Sequence, residues 1–101
     1  MEQKKIATFD IETDPFHANR IPMPFCCDFF DGDEHITFWG EDCIKKIVPY
    51  LQSFSGYIYA HNGGNFDWHY LIPYIDKETE ITFIASRIAE IPFVKAILRD
   101  S

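Results

Sequence analysis

Two acidic side chains near the start of the chain have the spacing that metal-assisted chemistry uses. Asp10 and Glu12 are separated by one residue, in a segment from Ile6 to Glu12 that alternates apolar and polar side chains. This alternation predicts a strand with Thr8, Asp10 and Glu12 on one face. Cα atoms two residues apart along a strand are ~6.7 Å from each other, so both carboxylates can converge on a pair of metal ions. An Asp-x-Glu pair alone is also compatible with a solvated strand end.

A second motif runs Tyr59-Ala60-His61-Asn62-Gly63-Gly64-Asn65-Phe66-Asp67. It places an Asn and a glycine pair after a predicted strand, and an Asp at the start of a predicted helix. The glycines would let the backbone approach another group closely, and Asp67 would direct its carboxylate into the crevice between strand and helix. The alternative for this motif alone is an Asx-type turn in which Asp67 caps the helix.

The elements that must position these motifs follow an α/β order. One helix is predicted over Glu41–Phe54, with a kink at Pro49, and a second over Phe66–Ile75. Asp31-Gly32-Asp33 predicts a tight hairpin turn. Strands are predicted at Ile6–Glu12, Met23–Phe30, His35–Trp39, Tyr57–Ala60, Ile81–Ile84, near Ile88–Ile91, and at Val94–Leu98. This order favours one mixed β-sheet flanked by helices over a sandwich or a bundle.

Composition limits the chemistry further. With 101 residues, 47% of them hydrophobic, the chain can supply one modest core and one domain. Its net charge of −7 argues against holding nucleic acid by phosphate neutralisation alone, so a nucleic-acid function would need metal ions. No apolar run approaches the ~18 residues that span a bilayer, so no membrane partner is expected.

The remaining residue types predict location and packing. The segment Met1–Ile6 has no apolar stretch like that of an export signal, so the protein is not expected to be secreted. Cys26, Cys27 and Cys43 fit neither a disulfide framework nor a zinc site, which favours small buried residues in a reducing, cytoplasm-like compartment. Trp39 and Trp68 are expected in the core or the crevice wall. His69 is expected to be a packing or helix-surface residue.

Together, Phe9-Asp10-Ile11-Glu12-Thr13 and His61-Asn62-Gly63-Gly64-Asn65-Phe66-Asp67 resemble the first and second motifs of the proofreading 3′–5′ exonucleases. The His-Asn-Gly-Gly variant and the later Ile97-Leu98-Arg99-Asp100-Ser101 are most similar to the N-terminal domain of protein-primed family B DNA polymerases of phages, adenoviruses and linear plasmids. The resemblance implies an RNase H-like α/β domain. It also implies a cytoplasmic or host-cell interior location, with a viral or plasmid origin.

The resemblance assigns roles to particular residues. Asp10 would bridge two divalent ions, Mg²⁺ or Mn²⁺, while Glu12 would hold the ion that activates water and Asp67 the ion that supports the leaving 3′ oxygen. The substrate would be the 3′ end of single-stranded DNA. The positions implied to grip that strand are Thr13, Tyr59, His61, Asn62, Phe66 and Tyr70.

The resemblance is incomplete in one respect. The family's third motif, Tyr-x-x-x-Asp, supplies a fourth carboxylate, and no Tyr after Asp67 is followed four positions later by Asp. Residues 1–101 are therefore expected to be part of an exonuclease domain, truncated at its C-terminal side. Its partners would be the rest of a polymerase chain and, in this family, a terminal protein primer. We expect the 101 residues alone to be poorly active.

The sequence is also compatible with three other interpretations. A stand-alone nuclease of the same group would need a fourth acid within its own chain. A module that binds nucleic acid without turnover would keep the fold and lack activity. A purely structural domain would not need Asp10, Glu12 and Asp67 to meet in one crevice.

Overall fold

The structure is a computed structural model that describes residues 5–14 and 22–100, so the expectations that involve Met1–Lys4 and Ser101 lie outside it. Within these ranges the chain forms seven strands, one α-helix and one 3-10 helix. The strands are β1 (Lys5–Asp14), β2 (Met23–Phe30), β3 (His35–Trp39), β4 (Gly56–Ala60), β5 (Thr82–Ile84), β6 (Arg87–Phe93) and β7 (Ala96–Asp100); the helices are α1 (Cys43–Ser53) and a 3-10 helix (Asp67–Tyr74).

The strands form one mixed sheet in the order β3-β2-β1-β4-β7-β6-β5. The three central strands β1, β4 and β7 are parallel, and each outer neighbour is antiparallel. The carboxyl ends of the three central strands therefore lie at the same edge of the sheet. This arrangement confirms the predicted α/β class with a mixed sheet, and it is compatible with an RNase H-like fold.

One face of the sheet carries the hydrophobic core. Ala7, Phe9 and Ile11 of β1 are buried there, while the alternate residues of that strand are exposed. Helix α1 packs its apolar stripe against this face, because Ile44, Ile47, Val48 and Leu51 recur at helical spacing and are all buried. Pro49 lies on the exposed side of α1, and the helix continues through it.

The opposite face, which we call the open face, carries polar and aromatic side chains. Thr8, Asp10 and Glu12 of β1 are exposed on it. The register places Tyr59 of β4 beside Thr8, and Arg99 of β7 beside Tyr59. Among the described residues, the two helices contribute their buried apolar side chains to the core side. Chemistry at Asp10 and Glu12 would therefore take place on the open face.

The cysteines and Trp68 are buried, whereas Trp39 is exposed. All three cysteines are buried and free, and Trp68 is fully buried against Phe9 with ring centroids 5.4 Å apart, as expected. For Trp39 the core position is wrong, because its side chain is 68% exposed. In β3 the residues alternate, Ile36 and Phe38 pack against the core, and Trp39 therefore points to the other face.

The second predicted helix is a 3-10 helix of eight residues that includes Pro73. Proline removes a backbone donor, and 3-10 turns are common in short connectors. No helix within the described ranges is long and apolar enough to cross a membrane.

Candidate functional site

Asp67 contacts β1 between the two predicted carboxylates. Its side chain is 8% exposed, and Oδ2 accepts a hydrogen bond from the backbone N–H of Ile11 at 3.2 Å. The pairing of β1 with β4 ends at Thr8 and Tyr59, so β1 extends beyond its parallel partner. Asp67 supplies an acceptor where the backbone of β4 no longer can. Asp67 thus reaches β1 between Asp10 and Glu12, and we call the region around these three acids the carboxylate crevice.

The electrostatics of the crevice appear in the pKa of Asp67. Burial, followed by the charge of Asp10 and to a smaller degree that of Glu12, raises this pKa to about 6. The hydrogen bond from Ile11 acts in the opposite direction because it stabilises the ionised form. A carboxylate that is buried beside other carboxylates is stabilised by a cation, and none of the described lysines or arginines forms an ion pair with these three acids.

The fit of a divalent ion can be tested on this arrangement. Carboxylate oxygens are the hard ligands that Mg²⁺ and Mn²⁺ prefer, so the donor chemistry fits. Within residues 5–14 and 22–100, however, no three His, Cys, Asp or Glu side chains stand close enough together to hold a metal ion. The side chains Asp10, Glu12 and Asp67 share one crevice without forming a closed ligand set.

The turn after β4 is built around Asn62 and the glycine pair. Asn62 adopts a φ of 55°, a left-handed conformation that Asn tolerates better than most residues. Arg87 Nη2 donates to Asn62 Oδ1 at 2.9 Å and forms an ion pair with Asp100 Oδ2 at 2.7 Å. These three side chains line part of a cavity of about 460 Å³ beside the carboxyl ends of β4 and β7.

The glycine pair does allow a close approach, and the approaching groups belong to the chain itself. A Cβ on Gly64 would lie 2.1 Å from the carbonyl oxygen of Ile88, and a Cβ on Gly63 would lie 2.7 Å from Trp68 Nε1. The carbonyl of Gly64 also accepts a hydrogen bond from His69 Nε2 at 2.8 Å, and His69 is exposed on the 3-10 helix, as the helix-surface alternative predicted. Gly64 therefore docks the turn against β6, and Gly63 leaves room for the side chain of Trp68.

The predicted strand-binding residues lie in different surroundings. Tyr59 is half-buried on the open face, where its hydroxyl accepts a hydrogen bond from Arg99 Nη1 at 3.2 Å. Thr13 is half-buried where the β1–β2 register shifts. His61 and Phe66 are exposed in the turn. Thr13 directly follows Glu12 and Phe66 directly precedes Asp67 in the sequence.

Tyr70 differs from the others because its hydroxyl proton is already used in a hydrogen bond within the chain. It donates to the backbone carbonyl of Pro22 at 2.7 Å. Burial and the charge of Asp67 raise the pKa of Tyr70, which places its ring near the crevice. In this arrangement Tyr70 ties the 3-10 helix to the start of β2.

Sequence reasoning missed the two arginines that contact the predicted strand-binding residues. Arg87 reaches Asn62, and Arg99 reaches Tyr59, across pairings that join β4, β7 and β6. The spacing of residues along the sequence does not predict contacts between such distant positions. Asp100 carried a usable signal, because like Asp10 it is an acid near the carboxyl end of a predicted strand.

Comparison with known proteins places the chain beside DNA polymerases. It is 41% identical over 99 residues to a protein named DNA-directed DNA polymerase from Enterobacteria phage PRD1, an alignment that covers 96% of this chain and 18% of that protein. It is 33% identical over 79 residues to a protein named DNA polymerase from Kluyveromyces lactis, covering 63% of this chain and 8% of that protein. No protein-family model matches the chain. The chain is thus similar, over almost its whole length, to one region of a much longer DNA polymerase.

Proposed function

We propose that this chain is an N-terminal portion of a protein-primed family B DNA polymerase and forms part of its proofreading 3′–5′ exonuclease domain. The substrate would be the 3′ end of single-stranded DNA, and the reaction would be hydrolysis of the terminal phosphodiester bond. The parent enzyme would be intracellular and would use a terminal protein as primer. Similarity to a phage DNA polymerase over 96% of the chain supports the polymerase part of the proposal.

The observation that carries the exonuclease part is the contact between Asp67 and β1. Two motifs separated by more than fifty residues meet so that the Asp67 carboxylate accepts the N–H of Ile11, the residue between Asp10 and Glu12. A purely structural domain does not require acids to converge at an edge where burial and mutual repulsion raise a pKa. Within the described part of the chain no lysine or arginine pairs with Asp10, Glu12 or Asp67, so their charge is available to divalent ions.

In this proposal Asp10, Glu12 and Asp67 would hold two divalent ions. Bound Mg²⁺ or Mn²⁺ would supply a lower pKa for the attacking water and a positive charge beside the departing 3′ oxygen. The chain's other residues bind and orient the strand. Phe66 and Tyr59 offer aromatic surfaces for bases, while Asn62 and His61 offer hydrogen bonds to sugar or phosphate oxygens.

The test uses a labelled single-stranded oligonucleotide with Mn²⁺. Two proteins are compared, the 101-residue chain and the longest natural chain that contains it, each with its Asp10→Ala variant as blank. We expect Asp10-dependent shortening from the 3′ end in the longer chain and very little in the shorter one. Degradation from the 5′ end, or degradation that survives Asp10→Ala, would contradict the proposal.

A second candidate is a module that binds nucleic acid without turnover. It is favoured by one observation, that no three metal-ligating side chains in the described part of the chain stand close enough to hold an ion. The same experiment separates the two candidates, provided that strand binding is measured alongside cleavage. Binding by the longer chain, with no cleavage in Mn²⁺ or Mg²⁺, would favour the binding module.

A further inference from the structure

Arg99 is held from three directions on the open face. Its Nε donates to Glu90 Oε1 at 3.1 Å, its Nη1 donates to Tyr59 Oη at 3.2 Å, and its guanidinium carbon lies 3.9 Å from the centroid of the Tyr57 ring. The sheet register explains this arrangement, because Tyr59 pairs with Arg99 and Arg99 pairs with Glu90. The three side chains form one row across β4, β7 and β6.

This row lies beside the carboxylate crevice. Tyr59 also pairs with Thr8 of β1, and Asp10 is the next residue on the same face of that strand. The hydroxyl of Tyr59 therefore lies on the side of the sheet where a strand bound at Asp10 would pass. The ring of Tyr59 is flanked by that of Tyr57, with centroids 6.4 Å apart.

The hydrogen bond fixes the direction of the hydroxyl. A guanidinium group can only donate, so Tyr59 Oη is the acceptor, and its own proton must point away from Arg99. We propose that Arg99 is a positioning residue, which holds Tyr59 so that the phenolic proton is available to an oxygen of the bound single strand. This inference rests on the proposed function, because it names how one strand-binding residue of that site is oriented.

The ion pair itself explains little of the arrangement. The side chains of Arg99 and Glu90 are 37% and 35% exposed, and pairs at such exposure contribute little to folding stability. Glu90 offsets the charge of Arg99, so the row adds little net positive charge beside the acids of the crevice. The main consequence of the row is therefore the orientation of Tyr59.

The test is a double-mutant cycle in the longest natural chain that contains these 101 residues. Binding of a labelled oligothymidylate is followed by fluorescence anisotropy, with Ca²⁺ in place of Mn²⁺ to avoid cleavage. Arg99→Met and Tyr59→Phe should each weaken binding by roughly threefold to tenfold, the effect of losing one hydrogen bond. The double variant should bind as Tyr59→Phe does, because without the hydroxyl Arg99 has nothing to orient.

Additive losses in the double variant would overturn the inference, since they would mean that Arg99 contacts the strand by itself. Lys95→Met is the matched control, because it removes the same charge from the exposed turn of the same hairpin. It should change binding less than twofold. A larger loss in Lys95→Met than in Arg99→Met would assign the effect to net charge and would overturn the inference.

A second measurement does not depend on DNA. The tyrosines are labelled with ¹³C at Cζ, and the NMR signal of Tyr59 is assigned by its loss in Tyr59→Phe. The chemical shift of this signal should change in Arg99→Met, whereas that of Tyr74 should not. No movement would overturn the inference even if binding fell. If the unaltered chain binds DNA while Arg99→Met binds equally well, the inference fails and the proposed function stands. If the unaltered chain binds no DNA, both fail.

Discussion

Acidic side chains have opposite surroundings in two neighbouring regions of the sheet. In the carboxylate crevice, Asp10, Glu12 and Asp67 form no ion pair with any described lysine or arginine. On β6 and β7, which we call the arginine-paired strands, Asp100 and Glu90 are each matched by an arginine at 2.7 Å and 3.1 Å. The chain thus has the means to neutralise acids at this edge and does so in only one of the two regions.

This difference separates two uses of charge. Paired acids are balanced, so they orient neighbouring side chains at little electrostatic cost. Unpaired acids near one another raise a pKa and store repulsion, which a bound cation relieves. The comparison therefore predicts that removing an acid has different effects in the two regions. Four measurements test the difference between the two regions, from the largest expected effect to the smallest.

The largest effect should be on catalysis. Asp10→Asn in the longest natural chain should lower Mn²⁺-dependent exonuclease activity about a thousandfold or more, the equivalent of ~4 kcal/mol of transition-state stabilisation. Glu90→Gln removes an acid from the arginine-paired strands and should cost less than tenfold. Initial rates on a labelled strand measure both variants. Similar losses in the two variants would mean that the regions do not differ in function.

The next effect concerns stability and pH. Because the fold raises the pKa of Asp67 from the usual 3.8 to about 6, the native state holds more protons than the unfolded state between these two pH values. The contribution of Asp67 to stability should therefore be fully present below about pH 4 and be lost as the pH rises through about 6, a change of roughly 3 kcal/mol. Asp67→Asn keeps an oxygen for the N–H of Ile11 and should remove that slope.

Urea unfolding at a series of pH values checks this prediction. At pH 7, Asp67→Asn should be the more stable protein, and at pH 4 the two should be nearly equal. Asp100→Asn, which breaks an ion pair, should instead lower stability at pH 7. A variant at Asp67 that is less stable at every pH would show that its ionised form is well accommodated and that the crevice stores no repulsion.

A smaller effect is expected from added metal. If the crevice binds Mn²⁺ with a Kd near 1 mM, then 10 mM ion stabilises the native state by about 1.4 kcal/mol, or about 6 °C in Tm. Asp10→Asn should lose this shift, and NaCl at matched ionic strength should not reproduce it. An equal shift in Asp10→Asn would place the bound ion elsewhere on this acidic chain.

How much of this could be predicted from the sequence depended on how local the signal was. The bounds of β2 and β3 match the prediction, because the Asp31-Gly32 turn and the flanking apolar runs fix a hairpin without help from the rest of the chain. The shared face of Asp10 and Glu12 follows from strand periodicity alone. The contact of Asp67 with β1, between these two acids, agrees with the expected strand–helix crevice.

The features that could not be predicted depend on packing between distant segments. Whether Trp39 is buried depends on which face of β3 the helix α1 covers, and the alternation in that strand is the same either way. The contact of Gly64 with Ile88 and the pairing of Arg99 with Tyr59 depend on register between strands far apart in sequence. Residue types at those positions suit several partners, and only the assembled sheet selects one.

The smallest effect tests whether the arginine-paired strands act as a scaffold apart from the crevice. Val94, in the turn between β6 and β7, has a φ of 58° and is 75% exposed. A β-branched residue in the left-handed region is strained by about 1 kcal/mol, and no burial of the side chain offsets that cost. Val94→Asn relieves the strain without the added chain entropy of glycine, and it should raise stability by roughly 0.5–1 kcal/mol in urea unfolding.

Because the turn lies at the opposite end of β7 from Asp100, DNA binding and the Mn²⁺ shift should stay unchanged. If Val94→Asn altered either of them, the two regions would be coupled through the hairpin, and the separation of scaffold from crevice would be wrong.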